Sequence, residues 1–161
     1  MFILLALAGL LYSNFMEWLL HKVVLHGWGK DKRSFWSSHF RHHKACTFSK
    51  NFDKDYVALG RGNFTELKSL LLLNLIHLPV ILISPAFYSG ALLGGLLYFT
   101  CHRKCHVDVN WGKKYMPWHY AHHMKWSSSN WCVTYPLFDI LLGTYKPYED
   151  NSSRKSTQDK I

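Results

Sequence analysis

The chain has 161 residues, 48% hydrophobic, 16% aromatic and 18% charged, which is enough apolar content for one compact domain and too much for a disordered chain. Four cysteines, Cys46, Cys101, Cys105 and Cys132, are too few and too irregularly spaced for a disulfide-stapled secreted scaffold, so reduced thiols are expected. The formal net charge of +9 raises nucleic acid as a partner, but a mean hydropathy near zero averages strongly apolar blocks with strongly basic ones. That segregation suits a membrane protein, and no nucleic-acid partner is expected.

In chain order, Met1 to Leu20 carries one formal charge, Glu17, and from Phe2 to Leu11 it is almost continuously Leu, Ile, Ala and Phe. At 1.5 Å per residue this is about one bilayer crossing. A cleaved signal peptide is the weaker reading: no basic stretch precedes the run, the small-x-small triplet Ala6-Leu7-Ala8 lies inside it, and it passes straight into Glu17 and His21. A second apolar block, Leu67 to Cys101, is broken at Ser84-Pro85. Two helices joined by a tight turn are expected there, with Pro79 a kink in the first. Each arm is about 16 residues, slightly short for a full span, so the hairpin crosses with local thinning or stops near the far headgroups.

No Lys or Arg lies in residues 1 to 20, ten lie between Lys22 and Lys68, and nine between Arg103 and Lys160. All cations can sit on one side, which by the positive-inside rule puts residues 21 to 66 and 102 to 161 in the cytosol. The expected fold is all-α: integral membrane helices in about three apolar segments, one a hairpin, with a cytosolic helical cap, forming a single domain over residues 1 to 148. The stretch 149 to 161 is charged and Ser/Thr-rich and is read as a disordered polar tail.

Eleven histidines are unusual, because imidazole is the side chain most often used as a metal ligand or near-neutral proton carrier. Ten fall into two matching halves: His21 and His26 with His39, His42 and His43, then His102 and His106 with His119, His122 and His123. His77 stands apart and is read as an ordinary hydrogen-bonded histidine. The i,i+4 and i,i+3,i+4 spacings put each group on one helical face, so the two helices of the second half can offer five imidazoles to one point. His26, five residues after His21, is off that face in an α-helix, but Gly27 follows and lets the helix end there.

Ten clustered imidazoles without a metal would leave buried nitrogens unsatisfied or repelling as cations. A shared centre removes both problems, and ten ligands exceed the three or four of a zinc site, so two metals are the natural count. Such a centre needs outer carboxylates to orient the rings and offset its charge, and Glu17, Asp108 and Asp139 are the candidates, each also readable as a surface or capping residue. Cys101 and Cys105 interleave with His102 and His106 as a possible Cys/His zinc site, but a one-residue offset turns them about 100° away, and small buried residues are expected instead.

These motifs resemble the fatty acid hydroxylase and sterol desaturase superfamily of integral membrane di-iron enzymes. The likeness covers about residues 15 to 146: Glu17-Trp18-Leu19-Leu20-His21-Lys22-Val23-Val24-Leu25-His26 with His39-Phe40-Arg41-His42-His43-Lys44, His102-Arg103-Lys104-Cys105-His106 with His119-Tyr120-Ala121-His122-His123, and a closing stretch from Thr134 to Thr144. The box spacing is most similar to the branch that hydroxylates fatty acyl chains, including those of sphingolipids. The resemblance implies that all ten clustered histidines hold two iron ions, with O2 as co-substrate and zinc able to replace iron in purified protein. It also implies a lipid substrate hydroxylated in the membrane, of the endoplasmic reticulum in a eukaryote or the inner membrane in a bacterium. Only one helix precedes the first box, where that branch usually has a hairpin. No nucleotide fingerprint or cytochrome b5 domain is expected in the chain, so electrons would come from a separate protein of cytochrome b5 or ferredoxin type. Carotenoid or sterol oxidation is the runner-up within the superfamily, and a non-catalytic membrane metal-binding protein is the reading from another class.

Overall fold

The computed structural model describes residues 1–49 and 65–148; the tail expected to be disordered lies outside them. Among the described residues every regular element is helical. The apolar N-terminal run forms α1 (Phe2–Leu19), which widens into a π-helical turn at Leu20–Leu25 and is followed by a 3-10 turn at Trp28–Lys30. The first histidine triplet lies on α2 (Ser37–Ser49).

The second apolar block folds as the expected hairpin. Its first arm is α3 (Thr65–His77) and α4 (Val80–Ile83), separated at Pro79, which has no N–H to continue the helical ladder. Ser84 leaves the helical region and its hydroxyl accepts the Phe87 N–H at 3.3 Å. Pro85 then begins α5 (Pro85–Val107), a capped start with proline in the first turn. The chain continues through α6 (Val109–Tyr115) and α7 (Pro117–Met124), which carries the second triplet, then an irregular stretch and α8 (Leu137–Leu141).

Helices α1 and α5 pack backbone to backbone. A Cβ on Gly9 would collide with the Phe87 carbonyl, and one on Gly90 with the Ala6 carbonyl, so glycine at these two positions permits the close approach.

The burial pattern is inverted relative to a water-soluble domain. All ten clustered histidines are buried together with Glu17, Asn130 and Asp139, whereas Ile3, Leu4 and Leu7 of α1, Leu75 and Ile76 of α3, and Leu96 of α5 face outward. Outward aliphatic belts around a polar interior are what a lipid environment accepts and water does not. The stretch Phe2–Lys30 is long and apolar enough to cross a membrane.

Candidate metal centre

The ten histidines converge, but in a partition that differs from the two halves of the sequence. Ligand nitrogens of His21, His26, His39, His43 and His122 lie within 4.8 Å of one another, and those of His42, His102, His106 and His123 form a second group. His119 adjoins the second group, its Nε2 lying 3.4 Å from that of His106. The expectation that the second half's five imidazoles meet at one point is therefore corrected. The middle histidine of each triplet crosses over: His42 joins the second half's group and His122 joins the first. The physical reason is that consecutive helical residues diverge by about 100°, so His42 and His43 cannot serve one point while His39 and His43 can. His43 and His123 stack at 4.2 Å between ring centroids where the groups adjoin.

His26 reaches the first group by a route the sequence did not suggest. Its backbone N–H donates to the His21 carbonyl at 2.9 Å, an i+5 bond. In the π turn that bond defines, the fifth residue returns over the first, and both rings face α2.

The donor geometry fits metal ions. The Nε2 atoms of His26, His39 and His43 lie 3.1 Å apart in all three pairings. A neutral imidazole Nε2 is either a donor or an acceptor, so in a triangle at least two atoms of the same kind must face each other. A cation at the centre satisfies all three. Adjacent ligands at right angles on bonds of about 2.1 Å are about 3.0 Å apart, whereas tetrahedral ones are about 3.4 Å apart. Five of the ten pairings in the first group lie at 3.0 to 3.2 Å, close enough for these nitrogens to be neighbouring ligands of one ion.

Protonation is fixed by the partners of the outer nitrogens. His21 Nδ1 lies 2.6 Å from the Trp131 carbonyl and His122 Nδ1 2.6 Å from the Ser129 carbonyl. A carbonyl only accepts, so these Nδ1 atoms carry the protons and Nε2 presents a lone pair. Burial, and after it the neighbouring imidazoles, hold His39, His42, His119, His122 and His123 well below the ordinary histidine range. Burial with the fields of His21 and His102 brings His43 down to about 3. These six rings are neutral at physiological pH, the form in which an imidazole can ligate a metal.

The carboxylates act differently from expectation. Asp139 accepts the N–H groups of Trp131 and Cys132 at 2.8 and 2.7 Å, and Glu17 accepts those of Val133 and Thr134 at 2.9 Å each. Two buried carboxylates thus clamp four consecutive backbone amides of the segment whose Trp131 carbonyl holds His21. They position a ring through that segment without touching it. Asp108 is a correction: it is exposed, and its carboxylate caps α6 by accepting the Trp111 N–H at 3.0 Å.

The carboxylate that does meet a ring is Glu66, in the first turn of α3, paired with His102 Nδ1. Sequence reasoning missed it because it lies 36 positions before His102, although a lone carboxylate entering an apolar block was a visible signal. Asn130, at φ 60°, was missed too. Its amide bonds the Trp118 and Lys146 carbonyls and accepts the Lys146 N–H, pinning the loop that supplies Ser129 and Trp131. Among the described residues no disulfide forms, and Cys105 packs with Met116 and Val133 in a small core, so the expectation of small buried residues holds there.

A cavity of about 290 Å³ runs between α1, α3 and α5, with His21, His39 and Glu66 at one end and Tyr12, His77 and Tyr88 at the other. Between them its wall is largely aliphatic, including Met16, Leu70 and Leu73. His77 takes no part in either histidine group among the described residues; it bonds Tyr12 and the Leu73 carbonyl.

Fold and site together define an all-helical, membrane-associated protein whose paired imidazole clusters could hold metal ions. The chain belongs to the fatty acid hydroxylase family, which it matches over residues 6–144. No curated protein and no solved structure matches it significantly.

Proposed function

We propose that the protein is a membrane-bound di-iron oxygenase that hydroxylates the acyl chain of a fatty acid or acyl lipid. The observation that carries this reading is the apolar cavity that opens at His21 and His39, beside two clusters of buried imidazoles. Family membership supports hydroxylation as the reaction class. The ten clustered histidines would hold the two irons, which with O2 supply the oxidising power needed to attack an unactivated C–H bond.

The chain itself supplies position and shelter. The aliphatic walls of α1, α3 and α5 bind and align an apolar chain and keep water from the reacting end. The Trp131 and Ser129 carbonyls and Glu66 hold proton positions on His21, His122 and His102, so that Nε2 faces inward. The aliphatic belt and the stretch Phe2–Lys30 support an integral membrane placement. The distribution of Lys and Arg supports a cytosolic histidine face, in the endoplasmic reticulum or the bacterial inner membrane. Electrons come from a separate cytochrome b5-type or ferredoxin-type protein.

The test is lipid mass spectrometry of cells expressing the wild type or His122→Ala beside a generic ferredoxin or cytochrome b5 reductase system. Hydroxylated acyl chains are expected with the wild type alone. An unchanged acyl profile from folded, iron-loaded wild type would overturn the acyl substrate and redirect attention to carotenoids or sterols; failure to retain iron would favour a metal-binding protein.

A further inference from the structure

The cavity ends in a polar pair that the metal centre does not use. Tyr12 on α1 and His77 at the end of α3 both line it, and the Tyr12 hydroxyl lies 2.7 Å from His77 Nε2. His77 Nδ1 lies 2.7 Å from the Leu73 carbonyl. Because the carbonyl only accepts, Nδ1 carries the proton, Nε2 accepts, and the Tyr12 hydroxyl donates. The Tyr12 ring also packs on His77 and Phe87, at 5.6 and 5.4 Å between centroids, so it ties α1 to α3 and α5. Tyr12 precedes His21 by nine positions and His77 follows Glu66 by eleven. At 1.5 Å per residue the pair sits about 14 to 17 Å along the helices from His21 and Glu66.

We propose that the Tyr12–His77 hydrogen bond is the far wall of the substrate cavity and sets the longest chain the protein accepts. This inference rests on the acyl-chain reading above. An apolar chain gains about fourfold in binding for each methylene it buries while the aliphatic wall continues. At the pair, a further methylene must part the Tyr12 hydroxyl from His77. That leaves a donor and an acceptor unmatched in apolar surroundings, a larger loss than one methylene returns. A hydrogen bond that joins two helices across the cavity therefore acts as a stop, where an aliphatic contact would yield to the chain.

The test is the affinity of the iron-loaded protein for saturated fatty acids of increasing length, read by displacement of a fluorescent fatty acid, for the wild type, Tyr12→Phe and His77→Leu. Both substitutions remove the hydrogen bond while nearly preserving volume. Wild-type affinity is expected to climb about fourfold per methylene and then level off. In both variants the climb continues, so the chain one methylene beyond the wild-type limit binds about fourfold more tightly than in the wild type, while shorter chains bind alike. Levelling at an unmoved length, weakening at every length alike, or a wild type that never levels would each overturn the proposal.

Iron content and thermal midpoint report folding. If either variant loses iron, Tyr12→Trp takes its place, adding bulk at the same point, and is expected to shorten the limit; an unmoved limit there also overturns the proposal. Hydroxylation of the same acids is scored separately. Levelling without hydroxylated product removes the hydroxylase reading and leaves the wall, whereas product with an unmoved limit removes the wall and leaves the reading.

Discussion

Each imidazole group draws on both matching halves of the sequence, yet the two are held by different means. In the first, His21 and His122 donate to backbone carbonyls of Trp131 and Ser129, on a loop secured by Glu17, Asp139 and Asn130. In the second, His102 meets the carboxylate of Glu66 from another helix. A carbonyl fixes a ring's tautomer and direction; a carboxylate does so too, adds negative charge and raises the ring's basicity. The second group therefore has a local counter-charge, whereas the first depends on the geometry of one clamped loop. Trp131 adds to this enclosure, its ring lying 4.9 Å from that of His26 and 5.3 Å from that of His122.

Substitutions that separate the groups put this contrast to the test. The largest effect is expected from His42→Ala, which removes the ligand that crosses from the first triplet to the second group. On the proposed di-iron reading, iron content should fall from about two per chain toward one, with hydroxylation lost at least a hundredfold, as expected when a ligand is removed outright and not merely an outer partner. Metal analysis that shows the first group emptied instead would break the partition.

A smaller effect is expected from Glu66→Gln. The glutamine can still accept a hydrogen bond but carries no charge, so metal affinity should weaken about 10- to 100-fold at one of the two sites only. Chelator titration should show one iron leaving before the other; two irons leaving together would remove the distinction drawn between the groups. The smallest effect belongs to Asp108→Ala, which removes the cap of α6 and should lower stability by about 1 kcal/mol. Metal content should remain that of the wild type, and iron loss in this variant would restore Asp108 as an outer carboxylate.

Much of the site is legible in the sequence. Spacing separates most of the clustered histidines from His77, because i,i+3 and i,i+4 neighbours share a face whatever the helix packs against, whereas His26, five residues after His21, is not placed by that rule. The hairpin at Ser84-Pro85 is legible for a similar reason: proline and a capping serine act through their own backbone. The roles of Glu17 and Asp139 are half legible. That a carboxylate in an apolar stretch needs a partner follows from desolvation, but its choice of backbone amides over a ring depends on where the loop of residues 131 to 134 comes to lie.

The features readable from the residues alone are therefore local: an all-helical chain, apolar segments interrupted by imidazole clusters, and which side chains share a helical face. These follow from backbone sterics, hydrophobicity and helical periodicity, which act over a few residues. Tertiary structure decided the crossing of His42 and His122, the pairing of Glu66 with His102, and the meeting of Tyr12 with His77 at the end of the cavity. The π turn that turns His26 inward joins that group, since an i+5 bond is retained where packing against α2 uses the ring it redirects. Each unites residues whose relative position depends on how helices pack, and helix packing carries no period that a linear sequence displays.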